Sequence, residues 1–130
     1  MLSNRDWQIG RGKPVEETAR VLSRYIDGIM IRTFAQSEVE ALAKYGTIPI
    51  INGLTDFCHP CQVLADLMTI REHKGHLDGL KMCYIGDGNN MANSLIVGGL
   101  KPGMRVSVAC PEGSDHSEQV LDFANAYQGF

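Results

Sequence analysis

From Pro14 onward the chain alternates between apolar residues at helical spacing and short extended apolar runs. Pro14 to Leu22, P-V-E-E-T-A-R-V-L, starts with proline at a first-turn position and two glutamates beside it, which a helix N-terminus favours, and its apolar spacing continues to Ile26. Gly28 interrupts it. Ile29-Met30-Ile31, ending at Arg32-Thr33, predicts a strand buried on both faces with polar residues at its C-terminal tip. Ser37 is expected to cap a second helix running through Lys44, with Glu38 and Glu40 in its first turn. Ile48-Pro49-Ile50-Ile51 predicts a strand in which Pro49, having no N–H to give the ladder, belongs at an edge or an early position. Gln62 to His73 carries Val63, Leu64, Leu67, Met68 and Ile70 at three-to-four spacing and stops at Gly75. Leu80 to Ile85 predicts a strand, Asn90 to Leu100 a helix, Arg105 to Ala109 a strand and Ser117 to Ala126 a last helix.

Strict alternation of helix and strand implies an α/β fold, a parallel sheet with right-handed crossovers and helices on both faces. In such sheets ligands gather beyond the C-terminal ends of the strands, so Arg32, the segment 52–62 and the segment 86–90 are the places to look for chemistry. No internal repeat is visible, and the polar run E-H-K-G-H-L-D-G from Glu72 to Gly79 reads as a hinge or domain junction.

Composition narrows the function classes. At 130 residues, 44% apolar and 21% charged, the chain has ordinary globular character and enough length to bury a sizeable core. A net charge of -3 with no basic stripe gives no long-range attraction for nucleic acid or anionic lipid. No apolar run approaches a membrane span, and the opening M-L-S-N-R-D lacks the apolar core of a signal peptide, so the expected location is the cytoplasm. Cys58, Cys61, Cys83 and Cys110 are then expected as reduced thiols rather than a disulfide frame.

Two stretches carry candidate chemistry. In F-C-H-P-C-Q, Phe57 to Gln62, a Cys-x-x-Cys stands at a helix start, where dipole and free N–H groups would favour a thiolate. The long preceding loop and the turn positions of Pro102 and Pro111 argue against a thioredoxin-like arrangement. Zinc is disfavoured because a second cysteine pair is missing, and His73 and His76 read as a solvated pair at a helix end. The remaining reading uses His59 and Gln62: three positions apart, they project to one side of the first turn, able to donate to a carbonyl and accept from an amide, although a His-Pro at a helix entry is more often a cap or turn than a ligand contact. The second stretch, G-D-G-N-N-M from Gly86 to Met91, starts like a dinucleotide fingerprint, but Met91 occupies the third glycine position, which disfavours NAD. Adjacent amides at Asn89 and Asn90 suit a zwitterion, with oxygens for an ammonium and N–H groups for a carboxylate; one of Asp87, Asn89 and Asn90 is also expected to cap the helix.

Asp56 to Asp66, D-F-C-H-P-C-Q-V-L-A-D, and Gly86 to Leu95, G-D-G-N-N-M-A-N-S-L, together closely resemble the ornithine carbamoyltransferases. The likeness extends through 18–25, 27–29, 32–34 and 52–56, and so covers nearly all of the chain. It implies a central fragment: residues 1–60 as the later part of a carbamoyl-phosphate-binding domain, 61–76 as an interdomain helix, and 77–130 as the start of an ornithine-binding domain, both Rossmann-like. It also implies roles. Arg32 and His59 would be catalytic, bonding the carbonyl oxygen of carbamoyl phosphate, and Gln62 would hold its amide end. Gln8 would reach a neighbouring subunit's phosphate in a trimer-based homo-oligomer, and Asn89 and Asn90 would orient the α-amino and carboxylate groups of L-ornithine. The resemblance implies no cofactor and no metal, and places the reaction in arginine metabolism. The cysteines have no part in it.

The family's phosphate grip, Ser-x-Thr-Arg-Thr, does not occur in the 130 residues, nor do its Asp-x-x-x-Ser-Met-Gly and His-Cys-Leu-Pro segments. The resemblance therefore implies negligible turnover by this chain alone. It leaves a non-catalytic fragment that binds carbamoyl phosphate or an amino acid as the main alternative and a thiol oxidoreductase as the lesser one. Strand edges and domain faces uncovered in such a piece favour self-association.

Overall fold

The computed structural model describes residues 14–114, 117–127 and 129–130; Gln8 lies outside them. Elements alternate as the pattern predicts: α1 (Val15–Leu22), β1 (Ile29–Arg32), α2 (Gln36–Tyr45), β2 (Ile50–Leu54), α3 (Pro60–Lys74), β3 (Lys81–Ile85), α4 (Asn90–Leu100), β4 (Arg105–Ala109) and α5 (Glu118–Asn125). They form two compact units, the first ending at Gly53 and the second starting at Leu54.

In the first unit α1 packs against α2 through the fully buried Ala19 and Leu42, with Val39 and Ile29 also buried, and β1 pairs with β2. Local chemistry moves several expected boundaries. Helix α1 ends at Leu22, not Ile26, because the Ser23 hydroxyl donates to the Ala19 carbonyl at 2.7 Å and accepts from the Thr47 amide at 3.0 Å, drawing the chain into a turn. Ala35, not Ser37, occupies the cap position of α2. β2 begins after Pro49, whose carbonyl accepts from the Ile29 amide at 2.9 Å, and extends to Leu54. β1 is not buried on both faces: Ile29 is buried, but Met30 is 68% exposed.

The second unit is built round α4. Its N-M-A-N-S-L-I-V-G-G-L sequence is apolar on every side beyond the first turns, as a helix surrounded by other elements requires. One cluster joins Leu95 of α4 to Val63 and Leu67 of α3 and to Met104. The other joins Ile96 and Leu100 to Val106 of β4 and to Val120 and Ala124 of α5. Burying a side chain such as Ile96, which has no exposed surface, contributes about 1.5–3 kcal/mol. β3 and β4 pair in parallel with Lys81 opposite Arg105 and Ile85 opposite Ala109. Their inward residues Met82, Tyr84, Val106 and Val108 feed these clusters, whereas Cys83, Ile85, Ser107 and Ala109 on the other face are exposed. Gly75 ends α3 in the left-handed region at φ 79°, a conformation that glycine adopts without steric cost. None of the helices among the described residues is long and apolar enough to cross a membrane.

Candidate functional site

Arg32 is the last residue of β1 in the first unit, with its side chain exposed. In the same unit Thr33, the next residue, donates to the Glu38 carboxylate, and Asn52, in the middle of β2, donates from Nδ2 to Gln36 Oε1 at 3.3 Å.

The other described candidates lie in the second unit. Thr55, fully buried, folds the segment before α3 into a tight turn. Its amide donates to the Cys58 carbonyl at 2.9 Å, and its hydroxyl accepts from the Cys58 amide at 3.2 Å. His59 follows in the cap position of α3 at φ -128°, ψ 68°, and Pro60 opens the helix. The imidazole makes no capping bond; it is half-buried, and its Nδ1 is sealed from solvent with no partner among the described residues. Gln62 is exposed and its Nε2 donates to Asp66 Oδ1 at 2.9 Å, one turn along α3.

At the mouth of α4 the adjacent amides divide their work. Asn89 is the cap: its Oδ1 accepts from the Met91 amide at 2.9 Å and the Ala92 amide at 3.4 Å, satisfying N–H groups that a helix start leaves open. Asn90 Nδ2 donates to the Thr55 carbonyl at 2.9 Å. One turn on, Asn93 Nδ2 donates to the Phe57 carbonyl at 3.0 Å, and the Ser94 hydroxyl accepts from the His59 amide at 2.7 Å while donating to the Asn90 carbonyl at 2.6 Å. The structure thus brings His59 and Asn90 into one hydrogen-bonded assembly, whereas the Gln62 amide is occupied along its own helix.

Asn93, Ser94 and Thr55 were not singled out by sequence reasoning. The available signal was spacing: Asn90, Asn93 and Ser94 at i, i+3 and i+4 make one polar face on an otherwise apolar helix. No disulfide joins the four cysteines, and among the described residues no three His, Cys, Asp or Glu side chains gather as a metal site needs.

Comparison with known proteins gives this geometry a family. Residues 1–72 match the aspartate/ornithine carbamoyltransferase carbamoyl-P binding domain, and residues 78–129 match the Asp/Orn binding domain of the same family. Ornithine carbamoyltransferase of Oceanobacillus iheyensis is 58% identical over 125 residues, and that of Anoxybacillus flavithermus 61% over 120, covering 96% and 92% of this chain. The ornithine carbamoyltransferase structure from Pyrococcus furiosus superposes with a TM-score of 0.90 at 54% identity over 95% of the chain. That from Gloeobacter violaceus gives 0.83 at 57% identity over 88%. The chain spans only 39% and 38% of the two curated relatives and 39% and 40% of the two solved chains. On two successive domain matches and this level of identity, the chain belongs to the aspartate/ornithine carbamoyltransferase family, and it spans about two fifths of the length of the relatives it matches.

Proposed function

We propose that the chain carries the central part of an ornithine transcarbamoylase site, one that transfers the carbamoyl group of carbamoyl phosphate to the δ-amine of L-ornithine, giving L-citrulline and phosphate. The amine attacks the carbamoyl carbon, a C–N bond forms, the bond from carbon to phosphate oxygen breaks, and the amine gives up a proton. Negative charge builds on the carbonyl oxygen during attack, and the Arg32 guanidinium and the His59 imidazole are the donors that stabilise it. With Nδ1 of His59 sealed, that contact falls to Nε2. Gln62 exchanges its Asp66 bond for the amide end of carbamoyl phosphate.

The amides at the α4 mouth suit the zwitterion. Capping consumes Oδ1 of Asn89 and leaves Nδ2 to donate to the carboxylate; the Thr55 bond consumes Nδ2 of Asn90 and leaves Oδ1 to accept from the ammonium. The observation that carries this reading is the assembly that joins His59 and Asn90, because it ties a carbamoyl-phosphate residue to an amino-acid residue. The proposed domain division is residues 1–60, an interdomain helix 61–76 and residues 77–130; the helix there is α3, Pro60–Lys74. The whole protein works in the cytoplasm as a trimer-based homo-oligomer in which Gln8 serves a neighbour's phosphate.

This chain alone binds the substrates weakly and turns them over negligibly, because the Ser-x-Thr-Arg-Thr grip is not among its residues. Calorimetric titration with carbamoyl phosphate and with ornithine, followed by a colorimetric citrulline assay on the same preparation, tests both halves. Saturable heat that weakens in His59→Ala and Arg32→Ala is expected, with no citrulline above background. Absence of any saturable heat at millimolar ligand would sink the site, and near-normal turnover would sink the inactivity.

A further inference from the structure

We infer that Ser94 is a positioning residue for His59, and that through its hydroxyl the first two turns of α4 act as one clamp on the segment that carries the imidazole. The inference rests on the transcarbamoylase reading for its functional meaning, but its geometry stands apart from that reading. Three side chains on one face of α4 hold three backbone groups of the segment 55–59: Asn90 the Thr55 carbonyl, Asn93 the Phe57 carbonyl and Ser94 the His59 amide. Ser94 is 7% exposed and Asn93 6%, so these bonds are shielded from competing water. The Ser94 hydroxyl accepts from His59 and donates its one proton to the Asn90 carbonyl, which fixes the direction of both bonds.

The consequence lies in the ring. Among the described residues no backbone carbonyl accepts from the His59 amide, since the first turn of a helix leaves its N–H groups without intrahelical carbonyls. Held by Ser94, the backbone stays at φ -128°, ψ 68° and directs the side chain so that Nδ1 is buried without a partner. Freed from Ser94, the ring can turn Nδ1 toward water and exchange between tautomers. Any displacement of Asn90, which reads the amino acid, moves the same hydroxyl and therefore the imidazole.

The test uses the whole 130-residue chain labelled with 15N, comparing wild type, Ser94→Ala and Ser94→Thr by amide hydrogen exchange and by the imidazole 15N signals of His59. In wild type the His59 amide should be protected and the ring should show a single tautomer. Ser94→Ala should speed exchange of that amide about tenfold or more and mix the tautomers, while the Val106 amide, which donates to the Gly129 carbonyl, keeps its protection. Ser94→Thr, retaining the hydroxyl, should restore both readouts, which a mere packing role would not do. An exchange rate and ring spectrum unmoved by Ser94→Ala, or a folded Ser94→Thr that fails to restore them, overturns the inference. Should Ser94→Ala not fold, a His59 amide in wild type exchanging as fast as an open loop overturns it. Titrating carbamoyl phosphate onto the wild-type sample separates the two ideas: an unresponsive His59 ring beside an intact Ser94 effect refutes the transcarbamoylase reading only.

Discussion

Replacing Gly98 by alanine adds one methyl group at the tightest helix contact in the second unit. A Cβ at that position would lie 2.3 Å from Val63 Cγ1 and 3.6 Å from Val63 Cβ. Carbon atoms rest at about 3.5–4.0 Å, so the added carbon is more than an ångström too close. Val63 gives little relief, because a β-branched residue in a helix has one strongly preferred rotamer. α3 and α4 must therefore separate, at an overpacking cost of about 1–3 kcal/mol. Against this, alanine is about 1 kcal/mol better than glycine inside a helix. The difference is about 0–2 kcal/mol, and with the contact this short we expect a net loss in the upper part of that range, at about 4–8 °C per kcal/mol for a unit of this size. A double-mutant cycle isolates the clash. Val63→Ala alone removes about two buried methylene equivalents at about 0.8 kcal/mol each, and Gly98→Ala should then refill the space, giving a favourable coupling on the order of 1–3 kcal/mol. Urea unfolding followed by far-UV circular dichroism measures all four corners. If Gly98→Ala proves more stable than wild type, as an unobstructed helical glycine would, or if the two changes simply add, the packing argument is wrong.

Further outcomes follow from single positions. Asn89→Ala should cost about 1 kcal/mol through the lost cap on the Met91 and Ala92 amides, whereas Asn89→Asp should retain most of it; equal melting temperatures for Ala and wild type would contradict the capping role. Gly75→Ala should cost about 1–2 kcal/mol from its φ of 79° alone, since a Cβ there meets no atom within 4 Å, and a neutral effect in urea unfolding would count against that backbone argument. Ile85 is 81% exposed, Leu64 66% and Met68 60%, so the weight-average mass in light scattering should rise with concentration, and a strictly monomeric profile would refute the expected self-association.

Where the sequence was legible, one element supplied both the pattern and its limits. Helix α4 and strand β4 run over the predicted residues because Asn89 is a strong local cap and the apolar block behind it admits one reading. Where it was not, a distant partner decided. The end of α1 depends on Ser23 meeting Thr47, a contact that no periodicity contains. Met30 is exposed although the run Ile29-Met30-Ile31 reads as continuous core, because burial depends on which neighbours a strand acquires. The site divides the same way. His59 and Asn90 are legible as polar residues at helix mouths, but the clamp acts through backbone groups of residues 55, 57 and 59, which carry no sequence signature of their own.

Position and charge are separable in this molecule. The clamp is held by α4, and α4 is held by two apolar clusters that draw on the inward faces of β3 and β4 and on α3 and α5. The outward residues Cys83, Ile85, Ser107 and Ala109 lie exposed and take no part in either cluster. The hydrogen bonds from Asn90, Asn93 and Ser94 to the segment carrying His59 thus lie inside the second unit. The proposed carbamoyl transfer would need more than that geometry: a doubly charged phosphate leaving group must be matched by cations that arrive already oriented, and the 130 residues contain no Ser-x-Thr-Arg-Thr to provide them. A preparation that shows a well-ordered His59 ring and no citrulline is therefore the coherent result, because ordering the imidazole depends on the α4 clamp while turnover depends on charge the clamp does not carry.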